Sequence, residues 1–75
     1  MAKFNVGDGN IKVEGYKGTW YVIDKNHLRD KKIYLLEHET YGEDACIIID
    51  EDMNVILDDV YNGFQDLWDV ENGDF

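Results

Sequence analysis

Nine carboxylates (Asp50, Glu51, Asp52, Asp58, Asp59, Asp66, Asp69, Glu71 and Asp74) follow position 49 of this 75-residue chain. Acids at that density can hold a cation, move protons or dock on a basic surface, and spacing separates the three. Asp50, Asp52 and Asn54 fall where a calcium loop has its first, third and fifth ligands, with Asp58 at the ninth. Such a loop also needs a glycine at its sixth position and a bidentate glutamate at its twelfth. Val55 and Tyr61 stand there instead, and the flanks are patterned as strands. The run reads as an acidic hairpin turn. No carboxylate pair is singled out for acid–base work, because acids are everywhere.

The other ligating and nucleophilic groups are scattered. His27, His38 and Cys46 are the only imidazole and thiol donors, and none has zinc-pair spacing. Cys46 leads directly into Ile47-Ile48-Ile49, surroundings in which a thiol is inert. No catalytic residue, metal or cofactor is therefore expected, and the protein reads as a non-enzyme. A different chemistry is open to the aromatics. Tyr16, Tyr34 and Tyr41 could line a groove of the kind that takes extended peptides. Alternation along Trp20-Tyr21-Val22-Ile23 sends Trp20 and Val22 to one face and Tyr21 and Ile23 to the other, so at least one aromatic face is core.

Charge is distributed unevenly. All seven basic residues lie in the first 32 positions, where with the acids up to position 37 they give net +2. Residues 38–75 hold twelve acids and no base, net −12, and the whole chain carries −10. That balance disfavours nucleic acid and membrane surfaces as partners and suits a cationic surface. A small domain can also carry such charge only to stay soluble. One cysteine rules out a disulfide within the chain and fits a reducing compartment. Met1 to Asp8 lacks a signal-peptide core and no stretch is long and apolar enough for a membrane span, so a cytoplasmic setting is expected.

The elements that must position these groups are short. Gly18 to Asp24 is the strongest strand signal, with an indole, a phenol and β-branched residues side by side, and it reads as the central strand. Ile11-Lys12-Val13 reads as a short strand before it. Lys25 to Lys31 is polar and reads as a long hairpin loop. Lys32 to Glu39 follows as a strand and Thr40 to Asp44 as a second loop. Ala45 to Ile49 reads as a strand buried on both faces. Asp50 to Asn54 is a turn and Val55-Ile56-Leu57 the returning strand. Val60, Phe64 and Leu67 then fall at i, i+4 and i+7, which favours a short helix over Val60–Trp68. Asn62-Gly63 would alternatively make a hairpin turn there. Residues 70–75 read as a frayed tail of a single domain spanning 1–75. About five short strands with local connections and no proline give a mainly β fold, a small strongly bent antiparallel barrel with a short C-terminal helix.

Val6-Gly7-Asp8, then Ile11-Lys12-Val13, then Gly15 and Gly18 leading into Trp20-Tyr21-Val22-Ile23-Asp24, resembles the opening of SH3-like barrels. Gly9 departs from that pattern, standing where such barrels carry an apolar strand residue. Tyr34 to Ala45 also resembles small uncharacterised proteins of bacteria and their phages, which brings no function with it. The first resemblance implies a binding module.

The functional expectation is a protein-binding module whose acidic half docks on a basic partner through Asp50, Asp52, Asp58, Asp59, Asp66 and Asp69. In its sharpest form it imitates DNA phosphates on a nucleic-acid-binding protein. The second reading is a domain that self-associates, as a homodimer, through an exposed strand edge and aromatic face, its acids serving solubility alone.

Overall fold

The computed structural model describes residues 4–72. Among these residues four strands follow one another, β1 (Trp20–Leu28), β2 (Lys31–His38), β3 (Gly42–Asp50) and β4 (Val55–Val60), and one helix, α1 (Phe64–Asn72), comes after them. All pairings are antiparallel between sequence neighbours, in the order β1-β2-β3-β4. The fold is mainly β with a short C-terminal helix, as the residue pattern predicts.

Period-two alternation gives the sheet two apolar faces. Tyr34, Leu36, Ile47 and Ile49 point to one face and join Ile11, Val13, Trp20 and Val22 in a buried cluster. Ile33, Leu35, Cys46 and Ile48 point to the other, where Val60, Phe64 and Leu67 cover them. The N-terminal segment therefore caps one face and α1 the other. Strands β2 and β3, buried on both faces, are the centre of the molecule. Among the described residues, no helix is long and apolar enough to cross a membrane.

Several expectations change at this point. The barrel of about five strands becomes an open sheet of four. The Ile11–Val13 stretch adds only one bridge, Ile11 to Trp20, because the chain turns back at once, Tyr16 N–H donating to the Val13 carbonyl at 3.0 Å. The Gly18–Asp24 stretch is not central. It opens an edge strand that continues through the polar residues to Leu28, and only Arg29-Asp30 turns the hairpin, with Arg29 at φ 56°. Polar composition there marks an exposed edge rather than a loop. Val60 closes β4 instead of opening a helix; Gly63, at φ +61°, makes the break. Residues 70–72, expected as tail, are the last turn of α1, and residues 73–75 lie outside the described residues.

Candidate functional site

Strand β4 and helix α1 bring four of the predicted acids together. Asp58 and Asp59 are two residues set against the single Ile47 between the pairs Cys46–Val60 and Ile48–Leu57. Asp59, at φ 52°, is the left-handed residue of this bulge, a conformation that aspartate tolerates better than most side chains. On α1, Asp66 and Asp69 lie three apart and so on one side. These four carboxylates, with Leu57, Tyr61 and Val70, line one groove of about 250 Å³. Tyr61 is 77 % exposed and Val70 41 % exposed, so apolar surface is offered among the charges.

Two of the acids are also structural. Asp66 accepts the backbone N–H groups of Asn62 at 3.0 Å and Tyr61 at 2.7 Å, and the Asn62 amide at 3.3 Å. Those donors hold its carboxyl below the usual aspartate range, against a smaller opposing effect of burial, so it remains charged. Asp58 accepts the Tyr16 hydroxyl at 3.2 Å. Burial, this bond and the charges of Asp58 and Asp59 together raise the Tyr16 phenol above its ordinary value. Asp69 accepts from the Gln65 amide at 2.9 Å.

Asp50 and Asp52 lie elsewhere, in the β3–β4 turn. Asp50 is buried, and one of its oxygens accepts the N–H groups of Asp52 at 2.9 Å and Asn54 at 3.0 Å. The other accepts the Asn54 amide at 3.3 Å and faces the Lys31 ammonium at 3.9 Å. Its carboxylate closes a turn rather than facing a partner. Asp52 is exposed at the turn's tip.

The three tyrosines do not form one groove. Tyr34 is fully buried within the face capped by the N-terminal segment, with Phe4 edge-on at 5.2 Å. Tyr16 and Tyr41 end a row of rings, Tyr16–Trp20–His38–Tyr41, with centroids 6.2, 4.9 and 4.8 Å apart. Tyr41 is exposed and Tyr16 half-buried, while Trp20 and His38 are buried between them. His38, at the end of β2, is the joint of this row. Its Nδ1 accepts the N–H groups of Thr40 and Tyr41 at 3.0 and 3.3 Å, which leaves Nε2–H to donate to the Lys17 carbonyl at 3.1 Å. The sequence carries no spacing signal for this role; only Gly18, whose neighbour His38 becomes, hints at a close approach.

His27 is exposed on β1 and Cys46 is buried against the helix-covered face, so neither stands beside His38. The three groups are thus as scattered in the fold as in the sequence.

No curated protein and no solved structure matches the chain. Residues 2–71 match the family model described as Large polyvalent protein-associated domain 18, and the chain belongs to that family.

Proposed function

We propose that the protein is a non-enzymatic binding module that docks the β4–α1 groove on a basic protein surface. The observation that carries this is the convergence of Asp58, Asp59, Asp66 and Asp69 around exposed Tyr61 and Val70. Scattered acids would serve solubility as well; acids gathered round an apolar patch resemble the mixed composition of interface surfaces. A family described as associated with large polyvalent proteins supports an accessory, binding role. A nucleic-acid-binding protein is the partner that offers the densest basic surface, and the domain would occupy its phosphate sites as an inhibitor. A reducing, cytoplasmic setting suits a chain with a single cysteine, Cys46.

The SH3-like use of an aromatic groove has less support, since Tyr34 is packed in the core away from Tyr16 and Tyr41 and the Tyr16 hydroxyl is taken by Asp58. Self-association through the β1 edge also has less, because the N–H groups of Trp20, Val22, Lys25 and His27 on that edge already have acceptors.

The test is capture by the immobilised full chain at low and at high salt. Docking predicts basic partners that are retained at low salt and released near 1 M, where the Debye length falls to about 3 Å. Replacing Asp58, Asp59 and Asp69 with asparagine should abolish capture. Retention that is independent of salt, or unchanged in the triple variant, would overturn the assignment.

A further inference from the structure

The chain keeps a cationic corner at the end of the β1–β2 hairpin. Lys25 pairs across the strands with Tyr34, and His27 with Lys32. Cross-strand neighbours sit about 4.5–5.5 Å apart at Cβ, and residues two apart on one strand about 7 Å. The four side chains thus form a square on the face opposite α1, and with Asn26 they line a cleft of about 270 Å³.

The remaining cations of the hairpin are engaged elsewhere. Arg29 reaches Glu71 at 3.4 Å and Lys31 reaches Asp50 at 3.9 Å. Among the described residues, no carboxylate pairs with the Lys25 or Lys32 ammonium. Glu51, just past the end of β3, instead accepts the Lys32 backbone N–H at 3.3 Å. Lys25 and Lys32 thus share one corner of the sheet with no carboxylate paired to either among the described residues. Lys25 and Lys32 are diagonal neighbours in this square, within reach of each other for long side chains, and an anion between two ammonium groups relieves their repulsion.

We propose that this cleft binds the phosphate group of a small phosphorylated molecule. Two ammonium groups and an imidazole N–H stand on this one face as donors, and bonds from ammonium to phosphate oxygens are charge-assisted. Several donors around one point suit a group with three terminal oxygens better than a carboxylate with two. A cleft near the lower end of ligand-pocket sizes suits a small molecule. A nucleic acid is disfavoured, because a chain of net charge −10 repels a polyanion along its length. This site is separate from the β4–α1 groove, and its test does not depend on that reading.

The experiment is a titration of the ¹⁵N-labelled full chain with inorganic phosphate and with a nucleoside monophosphate, at constant ionic strength. Saturable shifts at the amides of Lys25, Asn26, His27 and Lys32 are expected, with the monophosphate binding more tightly. The double variant K25Q/K32Q, whose unperturbed remaining spectrum shows that it folds, should bind at least tenfold more weakly. Shifts that never saturate, or an affinity unchanged in the double variant, would overturn the proposal. So would a short single-stranded oligonucleotide that binds more tightly than the monophosphate, since the cleft would then be serving a polyanion.

Discussion

Gly18 lies directly against the His38 imidazole: a Cβ at position 18 would fall inside van der Waals contact of Nε2 and 2.8 Å from Cε1. The backbone there is left-handed, at φ +79°, and the next carbonyl back, that of Lys17, receives the imidazole N–H. Gly15 is also left-handed, at φ +87°, but nothing lies within 4 Å of its Cβ position.

The two glycines therefore make a matched pair. Gly15→Ala should cost about 1–2 kcal/mol, the price of placing an L-residue in that region. Gly18→Ala should cost that and roughly 1–3 kcal/mol more, because the displaced His38 leaves buried partners unsatisfied. Urea unfolding of both variants checks this. Equal losses would mean that the imidazole moves aside freely.

A second prediction concerns acid. Burial acts to raise the Asp50 carboxyl, but the N–H and amide of Asn54, the N–H of Asp52 and the Lys31 charge outweigh it and hold it below the ordinary range. A carboxyl lowered in the folded state stabilises the fold above its unfolded value of about 3.9, and that contribution fades as pH falls towards the folded value. The chain should thus lose stability as pH drops below about 4. Asp50→Asn keeps an acceptor for the turn but removes the titration, so its unfolding free energy should be lower at pH 7 and flatter in acid. Asp50→Ala strands three donors and should cost about 2–3 kcal/mol at neutral pH. Denaturant melts from pH 7 to pH 2 check both. Glu39, lowered chiefly by its bond from Thr19, and Asp66 shift the same way, so some acid loss should remain in the Asp50 variants.

A third prediction concerns the β1 edge. The outward N–H groups of Trp20 and Val22 donate to the carbonyls of Ile11 at 2.8 Å and Asp8 at 2.9 Å. Past the register slip at Ile23, the ladder alternation turns the N–H groups of Lys25 and His27 outward. Each donates at 2.8 Å to the side chain before it, Asp24 or Asn26. The edge thus shows no idle donor at these four positions, which blunts pairing with another strand. Replacing Asp24 and Asn26 with valine should free two donors and add β-propensity. The variant should then self-associate at concentrations where the parent stays monomeric, as sedimentation would show. A variant that remains monomeric would mean that the lysines, not the side-chain caps, protect the edge.

The sequence revealed what burial enforces and concealed what contact enforces. Ala45 to Ile49 reads as buried on both faces because an unbroken β-branched run has no polar side to expose, and β3 is buried so. The Asp50–Asn54 turn is legible because its acids and asparagine have local bonds to make. Lys25 to Leu28 misleads, since an exposed edge strand and a loop share a polar composition. Phe64 and Leu67 signal a helix, but Val60 shares their spacing by chance and its place is decided by pairing with Cys46. For the site, acidity was visible at Asp58, Asp59, Asp66 and Asp69. Their convergence was not, because it depends on how α1 folds back beside β4. The role of His38 was hidden entirely, since its partners lie on the Lys17 loop and the Thr40 turn.

The groove itself separates binding from stability. Asp59 makes no side-chain hydrogen bond among the described residues, and Asp69 bonds only Gln65 on its own helix. Asp59→Asn suits the left-handed backbone, so D59N and D69N should each change stability by less than about 0.5 kcal/mol. Loss of two charges facing a basic partner should nevertheless slow association and weaken its salt dependence. Asp66→Ala should behave oppositely. It removes the acceptor for two N–H groups ahead of α1 and should cost roughly 1–2 kcal/mol, the scale of a lost helix cap. Loosening α1 would disperse the groove as well, so binding should fall with stability. Asp58→Asn releases the Tyr16 hydroxyl only partly, because the amide oxygen still accepts, and should resemble D59N. Thermal melts beside capture at two salt concentrations distinguish these patterns. If D59N and D69N leave capture unchanged while D66A destroys it, the partner reads the fold of α1 rather than the charge of the groove.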